Sequence, residues 1–320
     1  MRVTLVHNPE AGLGSHLSDD LLVRLRDAGH DASYTSTEAA SLARMLATFP
    51  DVVLAAGGDG TIGAVARLMA TQAPSVPLAI LPTGTANNLA RALGVDAAVE
   101  DIVDGLESTG RRTLDISTAR APWGTARFVE SAGVGAFGAM LRDAQINPAP
   151  SLASGQRLPN ARGDRLRRVV DATSPRLVHV EADGEELTGE YLFVLALNTS
   201  HVGPGLALAP SADAGDGHLD LLLVSAADRH ALGDFFDAIA GGADPDLALP
   251  TRRVRHARLE WAGDGHLDDR LWPEGPVQAL EGDDGMVDLV AAETSIPVVV
   301  PAAARDAPGR TERATRPATP

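Results

Sequence analysis

The sequence predicts an α/β N-terminal lobe with a doubly wound parallel sheet, followed by an antiparallel, β-sandwich-like C-terminal lobe. Three observations predict it. Over the first 115 residues, short apolar runs alternate with helical spacings, the pattern of a parallel sheet flanked by crossover helices. From about residue 116, short apolar runs separated by Gly, Pro, Asp and Asn take over, the pattern of an antiparallel β domain. At 320 residues the chain has the length of about two domains.

The elements follow in order. Residues 2–7 form an apolar run that ends at the turn Asn8-Pro9-Glu10-Ala11-Gly12. Leu17, Leu21, Leu22 and Leu25 then recur at helical spacing, and Gly29 ends that helix. Residues 31–35 and 51–56 read as strands with a helix from about Glu38 to Ala47 between them. Gly57-Gly58-Asp59-Gly60 breaks the chain before a helix from Thr61 to about Ala70. Pro77–Leu81 is a buried strand, and residues 82–88 lead into another helix. In the second half, strand-like runs lie at 126–131, 177–182, 191–197, 219–224, 254–261 and 286–290, with one helix near 229–240. Residues 142–176 are polar, carry Arg157, Arg162, Arg165, Arg167, Arg168 and Arg176, and read as a long mobile connection or lid. The expected division is 1–117, 118–295 and a disordered tail at 303–320, with a last strand near 296–301 returning to the first lobe.

Composition removes several function classes. Lys+Arg is 27 against Asp+Glu 43, a formal charge of −16, which argues against a nucleic-acid partner. No apolar run approaches the ~20 residues of a membrane span. The first residues are strand-like rather than leader-like, so the expected location is the cytoplasm. There is no cysteine, and every basic residue is arginine. Disulfides, thiol nucleophiles, a Walker A lysine, a protein-kinase strand lysine and lysine Schiff bases are all excluded. Phosphate, if handled here, falls to backbone amides, hydroxyls, arginine and a metal ion.

Two loops carry candidate chemistry. Gly57-Gly58-Asp59-Gly60-Thr61 joins a buried strand to a helix. Glycines permit close backbone approach to a phosphate, and the free amides of a helix start favour an anion. Asp59 is a candidate for magnesium or a ribose hydroxyl. The second loop, Leu81 to Arg91, presents Thr83, Gly84, Thr85, Asn87 and Asn88 in the same strand-to-helix setting. In a doubly wound sheet both loops emerge at the carboxyl edge, where ligands bind.

In these residues the chain resembles the diacylglycerol kinase catalytic-domain superfamily, and within it the bacterial lipid kinases related to sphingosine and ceramide kinases. The resemblance rests on His7-Asn8-Pro9, the Gly57–Thr61 run and Thr83-Gly84-Thr85-Ala86-Asn87-Asn88-Leu89-Ala90-Arg91. Weaker matches are Asp115, Gly133-Val134-Gly135, Asn198 and the segment from Ala209 to Gly217. It spans essentially residues 1–300.

The resemblance implies ATP and magnesium at a cleft between two lobes, with a lipid hydroxyl at a membrane surface as acceptor. Asn8, Gly57, Gly58, Asp59, Gly60, Thr61, Thr83, Gly84, Thr85 and Asn88 are the implied nucleotide residues. Asp59 also counts as a catalytic and metal residue, and Asp213 and Asp216 match a segment associated with a structural magnesium. The family's late Asp-Gly-Glu motif, with a glutamate as base, has two counterparts. Asp183-Gly184-Glu185 has the letters but reads as a hairpin turn; Glu281-Gly282-Asp283 has the position with the carboxylates exchanged. Asp283 is the expected base and Glu281 its partner. A second departure is Gly63-Ala64, where the family carries an Asn-Glu pair. His179 and His256 alternate with strand residues and read as structural. The implied site of action is cytoplasmic, at the inner membrane surface, with a homodimer left open. Two other readings remain at this point: a kinase of a soluble acceptor, as in the NAD kinases, and a non-catalytic nucleotide-binding regulator.

Overall fold

A computed structural model of the chain describes residues 1–8, 16–95, 97–146, 164–260, 264–273 and 285–301. Four parallel strands, β1 (Arg2–His7), β2 (Asp31–Ser36), β3 (Val52–Gly57) and β4 (Leu78–Pro82), lie in the order β2-β1-β3-β4. Every residue of β3 is buried, because helices cover both faces and successive side chains point to opposite ones. Helices α1 (His16–Asp27) and α5 (Val99–Asp104) pack on Leu5 and Leu54. Helices α2 (Ala39–Leu46), α3 (Asp59–Gln72) and α4 (Asn88–Leu93) pack on Val53 and Ala55 through Leu42, Ile62, Met69 and Leu89.

The rest of the chain is antiparallel. It runs through β5 (Arg111–Ala121), β6 (Gly124–Phe128), β7 (Ser131–Gly135), α6 (Ala136–Ile146), α7 (Asp164–Ala172), β8 (Arg176–Val178), β9 (Val180–Ala182), β10 (Glu185–Glu186) and β11 (Gly189–Leu197). It continues with β12 (Leu219–Ser225), α8 (Arg229–Ala240), β13 (Arg252–Val254), β14 (His256–Glu260), β15 (Gly265–Leu267), β16 (Arg270–Leu271) and β17 (Met286–Val299). β7, β8, β11, β12, β13, β15 and β16 make a seven-stranded sheet. One face of it packs on β5, β6, β9, β14 and β17 through Phe128, Val194, Leu259 and Leu289, the sandwich expected. The other face is covered by α6, α7 and α8 through Phe137, Leu166, Phe193 and Phe236.

β17 links the halves. It pairs antiparallel with β14 and β5 and touches β4 in parallel at Val298–Leu78, so one ten-stranded sheet runs through both lobes. The expected boundary at 117/118 falls inside β5, which is continuous.

Several expectations change. The run 177–182 splits into β8 and β9, which lie in different sheets, 254–261 splits into β13 and β14, and 286–290 is the first part of β17, which runs on to Val299. The run 126–131 is not one strand: β6 ends at Phe128 and β7 begins at Ser131. Within 142–176, α6 continues to Ile146 and α7 occupies Asp164–Ala172, so these stretches are helix rather than connection. Leu166 and Val170, four residues apart, are buried on one stripe of α7, and the arginines between them line its outer side. The 303–320 tail lies outside the described residues. Among the described residues no helix is long and apolar enough to cross a membrane.

Gly133 sits where β7 faces β11 with no room for a side chain: a Cβ there would lie 2.2 Å from the Val194 carbonyl oxygen. Gly133→Ala is expected to destabilise the fold by at least about 1–3 kcal/mol, as overpacking does. The check is a lowered denaturant midpoint at unchanged slope.

Candidate active site

The two glycine loops touch. Gly57 closes β3, and Gly58 caps α3 in an extended conformation with no side-chain hydrogen bond to the first turn. No side chain on Gly58 therefore competes with an anion for the first turn of α3. The Thr83 N–H donates to the Gly57 carbonyl at 3.0 Å. A Cβ on Gly84 would fall 2.5 Å from the Gly58 Cα, so the loops meet backbone to backbone. A Cβ on Gly57 would fall 2.6 Å from the Thr61 Cβ, which keeps that position a glycine. Asn8 follows β1 directly, and His7 at the end of β1 pairs with Ala56 of β3. Asn8, Gly57–Thr61 and Thr83–Thr85 thus share one sheet edge, with Gly60 and Thr85 exposed.

Asp59 opens α3, but its carboxylate turns to the neighbouring helix: Oδ1 accepts the Leu89 N–H at 3.0 Å. Burial raises its pKa, and the backbone N–H groups of Leu89, Asn88 and Asn87 oppose that rise. Expected as a metal and nucleotide residue, Asp59 is placed as the pin between α3 and α4.

Asn88 also lies away from the cleft. Its buried amide donates to Glu130 Oε2 at 2.9 Å and to the Gly203 carbonyl at 3.0 Å. Glu130 occupies the break between β6 and β7, and the cause of that break is Asp268. The Asp268 carboxylate draws in the N–H groups of Val129 (2.9 Å) and Glu130 (2.8 Å) and pairs with Arg67 of α3. Gly63 makes room for this pairing, since a Cβ there would meet Val129 at 3.1 Å and Arg67 at 3.2 Å. The Gly63 departure therefore leaves the space that the Arg67 guanidinium uses.

Asp268 and Asp269 form the turn between β15 and β16. Asp268 is buried, whereas Asp269 is exposed. A Cβ on Gly60 would lie 2.8 Å from Asp269 Oδ2, so this carboxylate hangs over the first turn of α3. Burial, then the charges of Asp59 and Asp268, push the Glu130 pKa well above the ordinary value. Burial also raises Asp268, outweighing Arg67 and the amides. His266 is buried against Phe137 and Ser131 and pushed down to about 3 by burial, so it stays neutral and is no proton carrier near neutrality.

The remaining candidates lie elsewhere. Asp213 accepts the Gly215 N–H at 3.1 Å, and Asp216 accepts the His218 N–H at 3.0 Å and Arg253 at 2.6 Å. Asp115 Oδ2 accepts the Gly217 N–H at 2.8 Å; its pKa is raised by burial first and then by Asp216 and Asp213. Arg253 supplies positive charge where a structural magnesium was expected, and no three His, Asp or Glu side chains among the described residues converge as a metal set. Asp183-Gly184 is the turn between β9 and β10, as the hairpin reading expects. His179 is exposed and His256 bonds Asp288 at 2.9 Å. Glu281 and Asp283 lie outside the described residues. Sequence reasoning missed Glu130, Arg67, Asp268 and Asp269; the available signal was His266-Leu267-Asp268-Asp269-Arg270-Leu271, an acidic pair between two short runs.

Comparison with known proteins agrees with this fold. Residues 2–119 match the diacylglycerol kinase catalytic domain, and residues 165–267 match the YegS C-terminal NAD kinase beta sandwich-like domain. Residues 2–119 are thus a diacylglycerol kinase catalytic domain, followed by a YegS-type C-terminal domain. It is 28% identical over 239 residues to the diacylglycerol kinase of Bacillus subtilis (strain 168), covering 71% of this chain and 74% of that protein. It is 26% identical over 285 residues to the diacylglycerol kinase of Mycobacterium tuberculosis (strain H37Rv), covering 82% and 86%. The fold is shared with the crystal structure of a diacylglycerol kinase from Bacillus anthracis str. Sterne, at a TM-score of 0.65 and 18% identity over 94% of this chain and 98% of that one.

Raised carboxyl values fix the sign of a pH effect. Between the ordinary value of Glu130, 4.5, and its higher folded value, the folded chain binds the extra proton, so stability falls as pH rises through that window. The melting temperature is expected to decline from about pH 5 upward, and Glu130→Gln to flatten part of that decline. An unchanged slope in Glu130→Gln would assign the effect to other groups.

Proposed function

We propose that this chain is an ATP- and magnesium-dependent lipid kinase that transfers the γ-phosphoryl group to the hydroxyl of a diacylglycerol-like lipid at the cytoplasmic membrane surface. One observation carries the reading. An exposed carboxylate, Asp269, stands over the uncapped first turn of α3, where two glycine loops meet. An anion-binding helix start next to a free carboxylate is the pairing that phosphoryl transfer to a hydroxyl needs.

The triphosphate rests on the amides of Gly58 to Thr61, with the hydroxyls of Thr61 and Thr85 beside it. Asp269 accepts the proton of the attacking hydroxyl. Asp268, held by Arg67 and three backbone amides, fixes the turn that aims Asp269. We assign the base to Asp269 in place of Asp283 because the hairpin brings it to the α3 turn. Magnesium fits as an ion carried in with the nucleotide: Asp269 and phosphate oxygens would hold it, beside carboxylates that, among the described residues, only Arg67 counters by an ion pair. When bound, it offsets the phosphate charge.

A cavity of about 550 Å³ in the β lobe supports an apolar acceptor. Val134, Tyr191, Leu192 and Phe193 line it, with Arg176 and Ser174 among its polar groups. Its size falls in the range of small-molecule sites. Net charge −16 favours the rival, a soluble acceptor, because membranes are themselves anionic.

The test is transfer of labelled γ-phosphate from magnesium-ATP into mixed micelles of diacylglycerol, with and without a chelator. Labelled phosphatidate formed only with the metal is the expected result. Label appearing in a soluble fraction alone would move the acceptor class. Asp269→Asn is expected to lower kcat by about 10²–10⁴-fold and to weaken magnesium-ATP binding as well. Unaltered transfer in that variant would sink the base assignment. Gly84→Ala, which pushes Gly58 away, is expected to weaken ATP binding by about tenfold or more, measured by calorimetry.

A further inference from the structure

We propose that Glu130 is a positioning residue of the phosphoryl-transfer site, locking the second glycine loop to the hairpin that carries Asp269. The proposal rests on the lipid-kinase reading for its consequence and on geometry for its substance. Glu130 faces two ways. Its backbone N–H, with that of Val129, holds Asp268, and its carbonyl accepts the Asn198 N–H at 2.8 Å. Its side chain holds Asn88, the first residue of α4. Asn88 reaches from there to the Gly203 carbonyl, so three chain segments meet at this one pair.

The side chain acts as a neutral acid. It is 5% exposed, and the charged groups around it are Asp59 from α3 and Asp268 and Asp269 from the hairpin, with Arg67 already bound to Asp268. An ionised Glu130 would add a buried fourth like charge beside these three, and no side-chain cation bonds it among the described residues. Asn88 Oδ1 is buried without a donor, and an acid O–H on Glu130 is the donor this pair lacks.

The two attachments separate experimentally. Truncating the side chain frees Asn88 and the second loop, while the backbone still holds Asp268 and the hairpin. Glu130→Ala is therefore expected to raise the Kd and KM for magnesium-ATP by about tenfold, with kcat within about threefold. Glu130→Gln, neutral and of the same shape, should restore both to within about twofold. Asn88→Ala, which also loses the Gly203 contact, should be at least as impaired as Glu130→Ala, and the double variant should add nothing beyond Asn88→Ala. Amide hydrogen exchange at Leu89 and Ala90 gives a readout without nucleotide: faster in Glu130→Ala and Asn88→Ala, unchanged in Glu130→Gln.

A folded Glu130→Ala with unchanged exchange and ATP affinity would overturn the proposal. So would a Glu130→Gln as impaired as Glu130→Ala, since that would require the ionised form. If Glu130→Ala fails to fold, Asn88→Ala and Glu130→Gln decide by the same criteria. Wild-type protein that binds no ATP would sink the kinase reading, and the exchange data would still decide whether Glu130 ties the loop.

Discussion

The backbone contact between Gly58 and Gly84 sets the spacing on which the rest of the site depends. No side chain separates the two loops, so the starts of α3 and α4 lie as close as polypeptide permits. Asp59 then fastens the second helix to the first through the Leu89 amide. A longer residue at either glycine would spread the loops, and every group referenced to them would move. The arrangement answers the absence of lysine: with no flexible cation to reach for a phosphate, the chain fixes its amides instead.

The β lobe is held to this platform by buried charge. Arg67 leaves α3 through the space above Gly63 and meets Asp268, which also gathers the amides of Val129 and Glu130. A buried ion pair is a weak source of net stability, because desolvation offsets its attraction. Its value here is orientation. The same turn that buries Asp268 exposes Asp269, so locking one carboxylate aims the other.

The parts legible in the sequence are those written locally. β3 and α3, and β4 and α4, declare themselves by an apolar run, a glycine break and a helical spacing within one stretch. The seam between lobes is written nowhere in particular. Glu130 interrupts what reads as one strand from 126 to 131, and it does so because Asp268, 138 residues away, takes its amide. That pairing depends on the register of β15 against β7, Leu267 opposite Ala132, which no local pattern specifies. α7 was hidden for a different reason. Its arginines dominate the composition, while the buried stripe that makes it a helix is only a few residues wide. Gly63 reads as a lost side chain and turns out to be space for another.

β17 gives the molecule a direction in time. The strand that borders β4 and carries β5 along its length comes from residues 286–299. During synthesis the ribosome releases β1 to β4 long before the segment that completes their sheet. Until then one edge of the first lobe stays open, with unpaired backbone groups on β4. Bringing β17 back across some two hundred residues is a long loop closure, of the kind that slows folding. Maturation of the two lobes is therefore a single late event, and the cleft between them comes into being with the last strand.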